Sequence, residues 1–290
     1  MSPTWQGPPP PDAGPMGPAG IIRLTARGLP IALLVSVGLA LLLVLRLFER
    51  PLCGQRRPVT PHVTVFVCRN VLRILGLRID YIGRPMRGRG ALVANHSSWL
   101  DIFTLNAGGP LCFVSKSEVA RWPLIGWLAR ATGTLFIERD PRRAVEQTRT
   151  MRERLLQGDK LMVFPEGTST DGTLVLPFKT TLFEAFLAPQ LREVIAVQPV
   201  SVTYRPPPGA DPRFYGWYGG MTFGGHLAAV LSAPRHGSVE ITYHAPVAVR
   251  EASDRKRLAR ACEDAVRAGF ACRAQSAAGQ VRPDEASVAE

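Results

Sequence analysis

The stretch ALVANHSSWLD at residues 91–101 places a histidine and an acid where a predicted strand meets a predicted helix. The apolar run 91–94 is typical of a buried strand, and the serine pair that follows the histidine can cap a helix. His96 therefore falls at the carboxyl end of a strand, which is where open α/β sheets bind ligands. Asp101 falls in the first turn of the helix, so its carboxylate can bind one imidazole nitrogen and leave the other one basic.

Short apolar runs alternate with helical stretches on both sides of this corner. The predicted strands are residues 90–95, 111–115, 134–137, 160–164, 194–204 and 238–243. The predicted helices are residues 98–107, 120–131, 141–157, 178–188 and 253–270. This alternation predicts an α/β domain over residues 79–272, with a mostly parallel sheet flanked by helices. Residues 273–290 are predicted to form a disordered tail.

The chain before residue 79 is predicted to attach the domain to a membrane. Residues 31–45 carry no charge, and Leu47 and Phe48 extend the apolar run past Arg46. This gives about 18 residues or roughly 27 Å of helix, close to the thickness of the hydrocarbon core of a bilayer. No small-residue cleavage site follows the run, so an uncleaved anchor is favoured over a signal peptide. Arginines are denser after the run than before it, which predicts that the domain lies on the cytoplasmic side of the cell (inner) membrane. Whether the helix crosses the bilayer or lies in one leaflet stays open.

Two further segments flank the predicted anchor. Residues 1–20 are rich in Pro and Gly and are predicted to be a disordered tail. Residues 62–78 are predicted to form an amphipathic helix, which completes a membrane-anchor region of residues 21–78. Two interpretations of that helix stay open: an ordinary core helix, or an interfacial helix whose arginines meet lipid headgroups.

The composition of the 290 residues favours a packed and basic protein. Hydrophobic residues make up 46% and charged residues 20%, which excludes wholesale disorder. The formal net charge of +12 favours polyanionic partners, namely nucleic acid, anionic lipid surfaces or phosphate-bearing substrates. The five cysteines are scattered without CxxC spacing, which argues against a disulfide framework and a zinc ribbon. Metal ligation is not predicted, because no His, Glu and Asp residues have ligand spacing.

Two further strand ends carry polar residues. In KLMVFPEGTST, residues 160–170, the strand is predicted to stop at the proline, and the next three residues turn at the edge of the sheet. Glycine lets the backbone approach a ligand there, and freed amides can face an anion. In GTLFIER, residues 133–139, the strand ends on a charged pair whose arginine, Arg139, can clamp a phosphate through paired hydrogen bonds.

The remaining patterns narrow the chemistry. The sequence contains no GxSxG motif, which makes a standard α/β-hydrolase a poor fit. A carboxylate-oriented imidazole without that serine favours base catalysis on a substrate hydroxyl. The segment VQPV, residues 197–200, lies inside an apolar strand.

In their order along the chain, these four segments resemble four sequence blocks of the glycerolipid (lysophospholipid) acyltransferase family, over about residues 60–250. NHSSWLD is similar to the first block, NHxxxxD, and GTLFIER, FPEGT and VQPV are similar to the second, third and fourth. The resemblance implies an O-acyltransferase of the 1-acylglycerol-3-phosphate acyltransferase type. Such an enzyme would move a fatty acyl group from an acyl thioester, acyl-ACP or acyl-CoA, to the hydroxyl of a lysolipid at the membrane in phospholipid and membrane lipid biosynthesis. The resemblance implies no cofactor besides that co-substrate, no metal and no nucleic acid partner.

The resemblance also implies roles for single residues. His96 would be the general base, and Asp101 would orient it. The residues that would hold the acceptor head group are Arg139, Glu166, Gly167 and Thr168.

One position departs from the family pattern. Ser169 stands where the third block often continues with arginine, which weakens the case for a phosphomonoester acceptor such as lysophosphatidate. The cations that could replace the missing charge are Lys116, Arg142, Arg143 and Lys179. The continuation, with LPFK at 176–179 and WYGGM at 217–221, is more similar to the bacterial branch that includes lyso-ornithine lipid acyltransferases. Lysophosphatidate and lyso-ornithine lipid both stay open as acceptors.

Two other classes of function stay open from the residues. A basic, membrane-anchored protein that binds anionic lipid or nucleic acid without catalysis would account for the net charge and the amphipathic helix. Lipid hydrolysis would use water in place of the lysolipid hydroxyl. The placement of His96, Asp101 and Glu166 at strand ends favours an enzyme.

Overall fold

A computed structural model describes the fold of residues 4–11, 14–138 and 141–279. The helices are α1 Pro18–Cys53, α2 Thr60–Leu75, α3 Leu100–Gly108, α4 Ile125–Thr132, α5 Ala144–Leu156, α6 Pro189–Arg192, α7 Phe223–Ser232 and α8 Arg255–Gly279. The strands are β1 Arg78–Ile82, β2 Gly90–Ala94, β3 Cys112–Lys116, β4 Leu135–Ile137, β5 Lys160–Val163, β6 Ala196–Arg205, β7 Ser238–Tyr243 and β8 Val247–Ala248. Short 3-10 helices cover Ser117–Arg121, Pro141–Arg143, Thr180–Leu187 and Val249–Glu251.

The strands form one sheet in the order β1-β7-β6-β2-β5-β3-β4, with β8 also paired to β6. β2 pairs in parallel with β5 and β6, and β3 pairs in parallel with β4 and β5. β1 and β7 are also parallel, whereas β7 and β8 run antiparallel to β6. The predicted α/β fold with a mostly parallel sheet flanked by helices is confirmed.

Side chains of the central strand β2 alternate between two apolar layers, one on each face of the sheet. Ala91 and Val93 pack in the layer that includes α5 and α8, and Leu92 and Ala94 pack in the layer that includes α2, α3 and α7. All of β2 is buried. A strand covered on both faces reads as a continuous apolar run, which is why the sequence predicts it well.

Four of the strands and α-helices have no counterpart among the predicted ones: β1, β8, α7 and the four-residue helix α6. β1 has the sequence RIDYI and lies at the edge of the sheet, where its side chains are exposed or half-buried. Its charged residues interrupt the apolar run that would indicate a strand. β8 has two residues. α7 begins with Phe-Gly-Gly-His, and glycines at the start of a segment are more typical of a loop than of a helix.

The predicted amphipathic helix over residues 62–78 is α2, with different bounds. It ends at Leu75 because Gly76 adopts a left-handed conformation with φ of 80° and caps the helix. The chain then enters β1. α2 contacts both α1 and α3, and Arg69 donates from Nε to the carbonyl oxygen of Ala107 at 2.7 Å. At least this arginine therefore binds the end of α3.

Two other predicted helices are altered by local turns. The predicted helix 120–131 is divided into the 3-10 helix Ser117–Arg121 and α4, because the chain turns sharply at Leu124 between them. The predicted helix 178–188 is mostly the 3-10 helix Thr180–Leu187. The six predicted strands all occur, with ends that differ from the predicted ones by at most two residues.

Helix α1 has 36 residues, is longer than the predicted apolar run, and packs against α2, α4 and α7. Near its start, Arg23 and Arg27 donate hydrogen bonds to backbone carbonyl groups around the end of α7. In its middle, Gly38 allows close packing of Val67, because a Cβ atom at this glycine would lie 2.4 Å from a methyl carbon of the valine. The most apolar window of α1 is 11% buried. By length and composition, α1 is able to span a membrane.

The ends of the described chain differ from the predicted disordered tails. Residues 4–11 contact the domain, and the rings of Trp5 and Tyr218 lie 5.5 Å apart. An aromatic ring can gain enough packing energy to hold a segment that is otherwise rich in Pro and Gly. At the other end, α8 continues to Gly279, and the rest of the predicted tail, residues 280–290, lies outside the described residues.

Candidate active site

His96 and Asp101 form a hydrogen-bonded pair at the carboxyl end of β2. Nδ1 of His96 lies 2.7 Å from Oδ2 of Asp101, whose exposed fraction is 0%. The same oxygen accepts the backbone N–H groups of Ser97 and Ser98 at 3.0 and 3.1 Å. An ionised carboxylate only accepts hydrogen bonds, so the imidazole carries its proton on Nδ1 and keeps the lone pair on Nε2. The structure therefore brings together the acid and the imidazole that the sequence predicts to meet.

Two aromatic side chains hold this pair in place. Tyr204, near the end of β6, donates its hydroxyl to Oδ1 of Asp101 at 2.7 Å. Burial raises the pKa of Tyr204 well above its ordinary value of 10.0, so this hydroxyl remains a donor. Phe164, directly after β5, stacks on the His96 ring with centroids 4.1 Å apart and an angle of 18° between the planes. The His96 side chain is 20% exposed. Its ring is oriented by Asp101, which Tyr204 holds, and by Phe164.

Glu166 links the segment that follows β2 to the segment around Leu176. Its Oε1 accepts the backbone N–H of His96 at 2.7 Å, and its Oε2 accepts the backbone N–H of Leu176 at 2.7 Å. Both carboxyl oxygens therefore bind backbone groups, which differs from the head-group contact that the family resemblance implies. Burial raises the pKa of Glu166 to about 8, although the two N–H groups act to lower it.

We expect Glu166 to make the stability of the folded protein depend on pH. Its pKa rises from 4.5 to about 8 on folding, so the folded state binds this proton more tightly than the unfolded state does. The stabilisation from this proton is complete below about pH 4.5 and is lost as the pH rises to about 8. Relative to Glu166→Gln, which is uncharged at every pH, the free energy of unfolding of the unmodified protein should fall by several kcal/mol from mildly acidic to mildly alkaline pH.

Denaturant unfolding of both proteins in detergent, at a series of pH values, measures this difference. Glu184→Gln is the matched control, because the Glu184 side chain is 59% exposed and its replacement should leave the pH profile unchanged. A difference between the unmodified protein and Glu166→Gln that stays constant with pH would contradict the expected protonation of the buried carboxyl.

The turn after β5 brings a lysine to the site. Gly167 has a φ of +68°, and a Cβ atom at this position would lie 2.7 Å from Nζ of Lys179. The backbone N–H of Lys179 also donates to the carbonyl oxygen of Pro165 at 2.9 Å. Lys179, one of the four cations considered for the missing positive charge, therefore lies against this turn. Oγ1 of Thr168 accepts the backbone N–H of Trp5 at 3.2 Å, so the N-terminal segment also reaches the turn.

Of the other predicted binding residues, Lys116 is carried to the same end of the sheet by a neighbouring strand. Lys116 is the last residue of β3, and Glu138 directly follows β4. Glu138 pairs with Nη1 of Arg143 at 3.1 Å. Arg139, predicted to bind the head group, lies outside the described residues. Because β2, β5, β3 and β4 are adjacent and parallel, their carboxyl ends share one edge of the sheet.

The VQPV segment braces the chain next to β2. Its Gln198 donates from Nε2 to the carbonyl oxygens of Arg84 and His244 at 3.0 and 2.9 Å, and accepts the backbone N–H of Met86 at 2.7 Å. These bonds hold the loop that leads into β2. The valines on both sides of Gln198-Pro199 are fully buried.

Three residues of the site were given no role from the sequence: Phe164, Tyr204 and Trp217. Phe164 lies in the FPEGT block and Trp217 in the WYGGM segment, whereas Tyr204 lies outside both. Phe164 and Tyr204 each end an apolar strand, and a polar or aromatic residue at such an end is a usable signal. Trp217 donates its backbone N–H to the carbonyl oxygen of Ser97 at 2.8 Å. A backbone contact of this kind leaves no trace in a single sequence.

Comparison with known proteins shows which family has this arrangement. The sequence profile of the family described as Acyltransferase matches residues 78–203. A lyso-ornithine lipid O-acyltransferase from Rhodobacter capsulatus is 55% identical over 273 residues, which cover 94% of this chain and 99% of that protein. The chain belongs to the acyltransferase family.

Other members of the acyltransferase family are more distant. A 1-acyl-sn-glycerol-3-phosphate acyltransferase from Neisseria meningitidis is 40% identical over 121 residues, 40% of this chain and 47% of that protein. The crystal structure of the 1-acyl-sn-glycerophosphate acyltransferase PlsC from Thermotoga maritima matches with a TM-score of 0.56 and 20% identity, over 89% of this chain and 100% of that one. The likeness to PlsC is one of fold. The family membership that the four sequence blocks predicted is therefore confirmed.

Proposed function

We propose that this acyltransferase moves a fatty acyl group from an acyl thioester, acyl-ACP or acyl-CoA, to the hydroxyl of lyso-ornithine lipid. The observation that carries the proposal is the buried carboxylate of Asp101, which holds Nδ1 of His96 at 2.7 Å and leaves Nε2 as the base. The acceptor is supported by the 55% identity to the Rhodobacter capsulatus protein. It is also supported by Ser169, which stands where an arginine would favour a phosphomonoester.

The proposed reaction is a direct transfer without an acyl-enzyme. Nε2 of His96 takes the proton of the acceptor hydroxyl while that oxygen attacks the carbonyl carbon of the thioester. The tetrahedral intermediate then breaks its C–S bond, and the imidazolium returns the proton to the departing thiolate. Asp101 stabilises the positive charge on the imidazole between these two proton transfers. Phe164 keeps the ring in one plane throughout.

Lysophosphatidate is the second candidate acceptor. The Neisseria meningitidis relative, whose name specifies a glycerol phosphate acceptor, supports it over 40% of this chain. Lys179 lies against Gly167, so a cation is present at the turn where a phosphate would bind.

The proposed location is the cytoplasmic side of the inner membrane, with α1 as the anchor. α1 is long and apolar, and its most apolar window is 11% buried against the rest of the chain. The net charge of +12 suits an anionic lipid surface and an acidic carrier protein that delivers the acyl group.

An acyl-transfer assay with purified protein tests the proposal. The protein is incubated with a labelled acyl-ACP or acyl-CoA and, in parallel, with lyso-ornithine lipid, lysophosphatidate or no acceptor. We expect the label in ornithine lipid, with less in phosphatidate. Label found only in free fatty acid would indicate hydrolysis, and binding of lipid without any labelled product would indicate a non-enzymatic protein; either result contradicts the proposal.

Tyr204→Phe is expected to lower kcat by about 3–10-fold and to leave KM near that of the unmodified protein, because the lost hydrogen bond to Asp101 is worth about 1 kcal/mol. Tyr204 acts through Asp101, so the same substitution should have little effect in an Asp101→Asn background. A double-mutant cycle on kcat measures this coupling. Additive effects, or a change limited to KM, would show that Tyr204 does not position the pair.

A further inference from the structure

The loop between the 3-10 helix Ser117–Arg121 and α4 presents three large apolar side chains to the outside. We call them the Leu124 tip: Trp122, Leu124 and Trp127, with exposed fractions of 38%, 82% and 50%. Exposing three such side chains within six residues is costly in water. The described part of the chain leaves them largely uncovered, so a partner from outside the chain is the natural cover.

The backbone at the tip is strained in a way that turns Leu124 outward. This leucine has φ of 61° and ψ of −51°, and it is the one described residue other than glycine with a positive φ. The N–H of Ile125 donates to the carbonyl oxygen of Pro123 at 2.6 Å, which closes a γ-turn of the rare, strained kind. Glycine would adopt this turn without strain, so the leucine adds cost without adding contacts inside the protein.

The neighbours of the tip match a lipid surface. α4 contacts both α1 and α2, so the tip belongs to the same side of the sheet as the apolar anchor helix. Arg121 and Arg130, one on each side of the tip, are exposed. Tryptophan and arginine beside apolar side chains are typical of the boundary between headgroups and acyl chains.

The tip is also connected to the candidate active site. The rings of Trp122 and Trp217 meet edge to face with centroids 5.8 Å apart. Trp217 in turn donates its backbone N–H to the carbonyl oxygen of Ser97, the residue after His96. A membrane that covered the tip would therefore lie next to the wall of the site.

We propose that the Leu124 tip inserts into the lipid bilayer at the boundary between headgroups and acyl chains, as a second contact beside α1. The inference rests on the membrane location in the proposed function and does not depend on the acceptor. Insertion would place His96 at the depth where a lysolipid presents its hydroxyl, so that the acceptor would not have to leave the membrane to react.

Site-specific fluorescence in the full-length protein tests this insertion. The exposed cysteines Cys53 and Cys272 are replaced by serine, and an environment-sensitive fluorophore is attached at Leu124→Cys. The matched control carries the label at Val145→Cys, because Val145 is 81% exposed and lies on α5, which packs on the opposite face of the sheet. Each protein is reconstituted into vesicles of phosphatidylcholine and phosphatidylglycerol, and its thermal unfolding is compared with that of the unlabelled protein.

We expect lipids brominated on their acyl chains to quench the label at position 124 about twofold or more and to leave the label at position 145 nearly unchanged. Aqueous iodide should quench the two labels in the reverse order. Equal quenching of both labels by iodide, with no effect of brominated lipid, would overturn the proposal. Shielding of the label at 124 from both quenchers would also overturn it, since a second copy of the chain or another protein would then cover the tip. The readout uses no substrate, so inactivity towards lysolipids would refute the proposed function and leave this result standing.

Discussion

Replacing His96 by alanine is expected to lower kcat by about 10²–10⁴-fold, which is the usual contribution of a positioned general base. The structure gives the reason: Nδ1 is held by Asp101 at 2.7 Å, and Nε2 remains as the one imidazole nitrogen that can take the hydroxyl proton. The backbone N–H of His96, which binds Glu166, is kept in the variant. The fold should therefore survive while the chemical step fails. Initial rates of acyl transfer at saturating substrates measure the effect.

The matched control for this prediction is His62→Ala. His62 lies on α2 and is exposed, so its removal should leave kcat unchanged. Thermal unfolding and membrane association of His96→Ala should equal those of the unmodified protein. Near-normal activity in His96→Ala would exclude the proposed mechanism.

Asp101→Asn is expected to lower kcat by a similar factor, about 10²–10⁴-fold, although it only replaces one carboxylate oxygen by an NH2 group. The carboxylate accepts bonds from the imidazole, from two backbone N–H groups and from the hydroxyl of Tyr204, all without exposure to water. An amide can still accept from one side, but it is neutral and cannot stabilise the imidazolium that forms when His96 takes the proton. The loss should therefore appear in kcat much more than in KM.

Asp264→Asn is the matched control for this substitution. Asp264 lies on α8, and its side chain is 69% exposed, so the variant should transfer acyl groups at the normal rate. Unfolding of Asp101→Asn in denaturant separates a catalytic loss from a structural one. A fall in activity that is fully explained by a smaller folded fraction would contradict the role assigned to the carboxylate.

Buried elements of the fold could be predicted from the sequence, whereas exposed ones could not. β2 and β5 are covered on both faces, and their apolar runs were therefore visible in the sequence. β1 lies at the edge with its charged residues exposed, so it had no such run. The division of the predicted helix 120–131 was also invisible, because it depends on a strained turn at Leu124 that no propensity for a leucine would favour.

Contacts in the site between residues that are close in sequence could be predicted, whereas contacts between distant residues could not. His96 and Asp101 are five residues apart, and a strand-to-helix corner is enough to bring them together. Glu166 was predicted to face a substrate, but its two oxygens bind backbone groups 70 and 10 residues away. Tyr204 reaches Asp101 across 103 residues. Contacts over such separations depend on the order of strands in the sheet.

The amino-acid sequence was sufficient to establish the alternation of strands and helices, the apolar N-terminal helix and the pairing of His96 with Asp101. Each of these depends on properties that act over one strand or one turn of helix, namely apolar burial, hydrogen bonding and side-chain spacing. Tertiary structure alone assigned Glu166 to the backbone of two loops, added Tyr204 behind Asp101 and laid α1 against α2 and α7. The reason is physical: these arrangements are set by which distant surfaces pack together once the sheet has formed, and local residue preferences do not determine that choice.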